Sequence, residues 1–166
     1  MKAQILSVLF LIPTLGLFAQ VDSLDAHSFD FWTGDWEVSW TNQQGQVVKG
    51  RNQINRILKD KVIQENFSDP NTGYEGKSWS TYSPQTQSWH QTWVDNGGGY
   101  LELDGERYGD TLAFIMDPQM INGTATVKRM IFYNITKKSF TWDWQSAPSG
   151  TEQWSLLWRI NYKRKD

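Results

Sequence analysis

Trp36-Glu37-Val38-Ser39-Trp40 alternates apolar and polar side chains one by one, and Asn42 to Gly45 then closes a turn. A period of two puts Trp36, Val38 and Trp40 on one face of a β-strand, whereas a helix would need apolar residues every third or fourth position. The same alternation returns on either side of further turn signals. Val47 to Ile54 follows, then Val62 to Phe67, with Asp69-Pro70-Asn71-Thr72-Gly73 as a strong turn behind it. Lys77 to Ser83 ends at Pro84, and Trp89 to Asp95 ends at Asn96-Gly97-Gly98-Gly99. Tyr100 to Glu106, Leu112 to Met116, Thr124 to Asn134, Phe140 to Gln145 and Glu152 to Tyr162 complete a series of ten predicted strands.

Ten strands joined by short turns predict an all-β, antiparallel fold. The long late strands suit the tilted staves of an up-and-down barrel better than a sandwich. Closure into a barrel also removes exposed strand edges. The only helical candidate outside the N-terminus is Leu24 to Trp32, with Ser23 as its N-cap.

Residues 1–19 carry a cation at Lys2, an apolar run from Ile5 to Phe18 and then Ala19, which is the order of a secretory signal peptide. Pro13 and Gly16 interrupt that run, so it predicts cleavage after Ala19 rather than an uncleaved anchor. The expectation is an exported, periplasmic or secreted, protein with a single domain over residues 20–166. The absence of cysteine among the 166 residues rules out lipid attachment through a cysteine and disulfide stapling. A domain of this size can bury a core without staples.

Removing Lys2 from the 16 basic residues leaves 15 against 18 acidic ones, and apart from Lys163-Arg164-Lys165 the cations are scattered. Nucleic acid needs a concentrated basic surface, so it is not an expected partner. With only His27 and His90 and no cysteine, no spacing suggests a metal site, and His90 is the one strand-borne histidine that an axial haem role would require. No cofactor is expected. No nucleophile elbow, phosphate loop or dinucleotide fingerprint is present.

The composition is unusual in its aromatics, with 10 Trp, 6 Tyr and 8 Phe. Indoles pack a thick interior, line a pocket, or form a flat surface for stacking ligands. Trp89, Gln91, Trp93 and Asp95 share one strand face, which supplies an aromatic floor with directed polar groups, the composition of a small-molecule pocket. The alternative is that Trp89 and Trp93 are core while Gln91 and Asp95 tie down turns. Glu65 shares a face with Ile63 and Phe67, and Arg129 shares one with Val127, Ile131 and Tyr133. If both faces point inward, a buried Glu65–Arg129 pair would orient a polar ligand head or remain a structural ion pair. Trp142 stands between Phe140 and Trp144 on another apolar row and is assigned to a cavity wall. Three Asn-x-Ser/Thr sequences, at Asn66, Asn122 and Asn134, are read as incidental.

Phe29-Asp-Phe-Trp-Thr-Gly-Asp-Trp-Glu-Val38 resembles the opening of a bacterial lipocalin-like, calycin-type family of unknown function, whose members commonly begin Phe-Trp-x-Gly-x-Trp. Tyr82, Pro84, Thr86, Trp89, Gln91, Trp93, Val94 and Asp95 resemble a second stretch of that family. The wider lipocalin resemblance implies a structural device: Gly34 and Trp36 close one end of the barrel, and a basic residue of the last strand, here Arg159, packs over the indole. A guanidinium over an indole stabilises by about 1 kcal/mol, more when desolvated.

Three functions from different classes follow. The first is a barrel that binds a small, partly apolar or amphipathic ligand, with Glu65, Tyr82, Gln91, Trp93, Arg129 and Trp142 as ligand-binding candidates. The second is a barrel enzyme, an isomerase or hydrolase, using Glu65 with Arg129 or Tyr82. The third is a carbohydrate-binding module with exposed Trp. They rank in that order, because nothing names a reaction. The sequence carries no signal for an oligomeric state.

Overall fold

A computed structural model describes residues 23–165 of the chain. The candidate signal peptide at 1–19 lies outside the described residues. Strands β1 (Gly34–Thr41), β2 (Val47–Ile57), β3 (Val62–Asp69) and β4 (Tyr74–Ser83) form a meander. It continues through β5 (Ser88–Asp95), β6 (Tyr100–Tyr108) and β7 (Thr111–Ile115). A short β8 (Gln119–Ile121) leads into β9 (Thr124–Tyr133), and β10 (Ser139–Pro148) and β11 (Ser155–Arg164) complete the order.

Neighbours in sequence pair antiparallel throughout, with one exception. β7 pairs with the later part of β9 (Leu112↔Phe132 to Ile115↔Arg129), and β8 pairs with its first residues (Ile121↔Thr124 to Gln119↔Thr126). The last strand returns to the first through Trp36↔Arg164 to Ser39↔Asn161. Ten strands therefore close into an up-and-down antiparallel barrel, and β8 is an additional strand on its rim. All ten expected strands are present. No helix among the described residues is long and apolar enough to cross a membrane.

The expected helix over Leu24 to Trp32 is instead a turn followed by a 3-10 segment, Asp30–Trp32. Asp25, not Ser23, ties down the turn: its carboxylate accepts the His27 amide and the Ser28 hydroxyl, each at 2.9 Å, while the 3-10 segment itself has no side-chain cap. Those donors, the His27 amide first, hold the Asp25 carboxyl below its ordinary pKa. A stretch this short does not hold a helix by itself, and the barrel claims its carbonyls. The Trp89 indole donates to the Asp25 carbonyl and the Trp36 indole to the Trp32 carbonyl, both at 2.8 Å.

This segment plugs one end of the barrel. Phe29 and Trp32 are buried, and Phe29 stacks on Phe114 at 4.5 Å while meeting Trp89 edge-on at 5.2 Å. Burying one such ring stabilises by roughly 2–3 kcal/mol, so the plug is held by packing more than by backbone preference. Trp36, preceded by Gly34 at a φ of 135°, is buried beside this segment, but Arg159 is not the cation over the indole. Period two along β11 sends Trp158, Ile160, Tyr162 and Arg164 inward and Arg159 outward. The cation over Trp36 is Arg164, 4.1 Å from the ring centroid. Arg159 instead grips the buried Asp143 carboxylate through two hydrogen bonds of 2.7 Å. Arg164 is accordingly part of the closed end.

Candidate functional site

The opposite half of the barrel is hollow. A cavity of about 260 Å³ lies between Glu65 at its inner end and the β5–β6 turn at Gly99. Its wall is aromatic: Trp93 from β5, Trp142 and Trp144 from β10, and Trp158 from β11, with Phe67 and Tyr74 completing it. Trp158 stands edge-to-face with Trp142 (5.8 Å), Phe67 (5.7 Å) and Trp40 (5.4 Å), so perpendicular rings fix one another. Leu101, Met130 and Ile160 supply the aliphatic part.

Two of these indoles hold their position for identifiable reasons. Trp93 lies across Gly76 on β4, where any Cβ would occupy the indole's space. Its N–H donates to the Asp95 carboxylate at 3.0 Å, beside the Tyr74 hydroxyl, also at 3.0 Å. The same carboxylate accepts the Gly97 and Gly99 amides at 2.9 Å. Burial pushes the Asp95 pKa up, but the amide of Gly99 and the Trp93, Tyr74 and Gly97 donors outweigh it, and the group stays below its ordinary range. Burial and the Asp95 charge push the Tyr74 phenol up to about 12. Asp95 thus ties down its turn and anchors the cavity wall at once.

The inner end of the cavity is a buried polar chain. Glu65 faces inward, as expected from Ile63 and Phe67, but its partners are neutral. Asn52 of β2 donates to one carboxylate oxygen at 2.6 Å, and Ser78, directly opposite on β4, donates to the other at 2.7 Å. Asn52 also donates to the Tyr162 hydroxyl at 3.0 Å. Gln91 donates to Ser80 at 3.0 Å and approaches Ser78 at 3.4 Å. Removal from water dominates, and it pushes the Glu65 pKa up to about 6 despite the two hydrogen bonds. Burial and the nearby Glu65 charge raise the Tyr162 phenol well above its usual value. The Asn52 and Gln91 side-chain oxygens are buried and meet no donor among the described residues.

Trp93, Trp142 and Glu65 therefore line one cavity, and Gln91 lies behind its inner end. Two expected members do not join them. Arg129 faces outward, where it stacks on Trp154 at 3.6 Å and donates to Gln145 at 3.0 Å. The face of β9 that turns inward carries Lys128, Met130 and Phe132, so no Glu65–Arg129 pair forms. The cation on the cavity is Lys128, two residues nearer the open end than Met130. Tyr82 points inward at the closed end, 3.4 Å from the Leu24 carbonyl, away from the cavity. His90 lies on the barrel's outer surface, hydrogen-bonded to Asp104 at 2.6 Å and Ser88 at 3.0 Å, so it cannot serve the interior as an axial ligand. Among the described residues, no three His, Asp or Glu side chains gather as a metal centre.

Sequence reasoning passed over Asn52, Ser78 and Lys128. Register supplies the signal for Ser78, which stands opposite Glu65 once the Asp69–Tyr74 turn sets the β3–β4 pairing.

A comparison of the chain with protein-family models gives no match, and a comparison with the curated proteins gives none either. Fold and cavity define a class nonetheless: a closed ten-stranded antiparallel barrel, plugged at one end and hollow and aromatic at the other.

Proposed function

We propose that the protein is an exported, lipocalin-like barrel that binds a small, partly apolar ligand in its aromatic cavity. One observation carries this reading: four indoles enclose a hollow of about 260 Å³ whose inner end presents a single carboxyl group. Apolar walls with few directed polar groups are how barrels hold small ligands. The volume lies just below the usual range of about 300–1,000 Å³ for such pockets, which favours a compact ligand. The export half of the proposal rests on the signal-like residues 1–19.

The reading is tested by titrating tryptophan fluorescence with fatty acids, aromatic metabolites, haem and soluble oligosaccharides. It expects saturable quenching by a compact apolar or amphipathic compound, at least tenfold weaker in Trp142→Ala. Quenching by oligosaccharides alone, unchanged in that variant, would support the carbohydrate-binding alternative instead.

The position and pKa of Glu65 favour one further reading, a barrel enzyme with this carboxyl as general acid or base. That reading expects turnover of the bound compound that Glu65→Gln abolishes while binding persists.

A further inference from the structure

We propose that the ligand is a small organic monocation, an amine whose ammonium group sits against Glu65 inside the aromatic wall. The inference rests on the binding-barrel reading and names its ligand class. A carboxylate withdrawn from water normally has a cationic partner, because burial without one is costly. Among the described residues Glu65 has none: its hydrogen-bond partners are the Asn52 amide and the Ser78 hydroxyl. Each carboxylate oxygen accepts one hydrogen bond and retains capacity for another. At the inner end the carboxylate thus keeps lone pairs free on both oxygens, the complement of an ammonium group.

The wall fits the same ligand. Trp93, Trp142, Trp144, Trp158 and Phe67 line the hollow, with the rings of Trp142 and Trp158 perpendicular to one another. An aromatic lining attracts a cation and the apolar body it is attached to. The other ionisable groups on the cavity do not compete for it at the inner end. Asp95 is held by four donors at the mouth, and Tyr74 and Tyr162 remain neutral phenols. Lys128 stands on the mouth side of Met130, where it opposes a second positive charge and orients a monocation head-inward.

The alternative is a neutral ligand whose carbonyl accepts a proton from un-ionised Glu65, and pH separates the two. A cation needs the carboxylate, which at one pH unit below about 6 is only about a tenth populated.

The test is calorimetric titration of the protein with phenethylamine and with 2-phenylethanol, its neutral counterpart, at pH 5 and pH 8. The inference expects the amine to bind at least tenfold tighter than the alcohol at pH 8, and about tenfold weaker at pH 5. Glu65→Gln is expected to lose the amine's advantage over the alcohol, its fold being checked by far-ultraviolet circular dichroism. Should that variant not fold, the pH dependence of the wild-type protein decides the matter alone. Equal binding of amine and alcohol, or tighter amine binding at pH 5, overturns the ligand class and leaves the binding barrel standing. Failure of both probes, together with silence across the fluorescence panel, overturns the binding reading and this inference with it.

Discussion

The guanidinium of Arg164 lies 4.1 Å from the centre of the Trp36 ring and joins the last strand to the first across the barrel's closing seam. It also donates to the carbonyls of Thr33 (2.8 Å), Phe31 (3.2 Å) and Lys137 (2.8 Å), so one side chain binds the plug, the seam and the β9–β10 turn. Gly34 accommodates it twice over: its φ of 135° is open to glycine, and a Cβ there would collide with the guanidinium.

Replacing Arg164 with alanine therefore removes a cation–π contact and leaves carbonyls without their charged donor. The expected loss of unfolding free energy is about 3 kcal/mol. Arg164→Lys recovers less than half, since an ammonium cannot span three carbonyls and stack on a ring. Urea denaturation measures both, and a loss below about 1 kcal/mol for the alanine variant would show the seam holding without it.

Glu65 sets a pH dependence of stability whose sign is opposite to that of an ordinary paired carboxylate. Its pKa is raised from 4.5 to about 6 on folding. Stability from this group is full below about 4.5, where both states are protonated, and falls as pH rises towards 6 because only the unfolded chain ionises readily. The loss amounts to about 2 kcal/mol. Asp69 and Asp95, whose pKa values are lowered, slope the other way, so the comparison of interest is wild type against Glu65→Gln. Thermal unfolding from pH 4 to 8 should show the two curves converging at low pH and the variant ahead at pH 7.

Asp95→Asn keeps the shape of the mouth but removes its charge. The Tyr74 phenol, now near 12 chiefly through burial and then through Asp95, is expected to fall part of the way back towards 10. Spectrophotometric titration of the tyrosines reads this directly, and an unchanged titration curve would show that Asp95 does not act on Tyr74.

Gly76→Val places a side chain where the Trp93 indole lies, forcing the ring into the cavity. Ligand affinity should drop at least tenfold with the fold intact, as judged by fluorescence titration and far-ultraviolet circular dichroism. Full retention of affinity would mean that Trp93 is not part of the binding wall.

Which parts of this were readable beforehand follows from what alternation encodes. It identifies strands and pairs residues on a common face, so Trp89, Gln91, Trp93 and Asp95 were grouped correctly, as were Glu65, Ile63 and Phe67. It does not say which face is inside when both are apolar. In β9 the row Val127, Arg129, Ile131 and Tyr133 is as hydrophobic as Lys128, Met130 and Phe132, and the outer row is itself half-buried, with Trp154 over Arg129. That ambiguity misplaced Arg129. Arg164 was recoverable, because extending the row Trp158, Ile160 and Tyr162 by two residues ends on it. So was β8, since Asn122-Gly123, both at positive φ, is a strong hairpin signal. The plug escaped because tertiary packing, not local preference, shapes it.

The most direct test of the binding cavity is fluorine NMR of protein labelled with 5-fluorotryptophan, with its ten resonances assigned by single Trp→Phe variants and phenethylamine added at pH 8. Trp93, Trp142, Trp144 and Trp158 are expected to shift together and saturably, while Trp32, Trp36 and Trp89 at the plugged end stay in place. Shifts confined to Trp79 and Trp154 on the outer surface would contradict binding in the cavity.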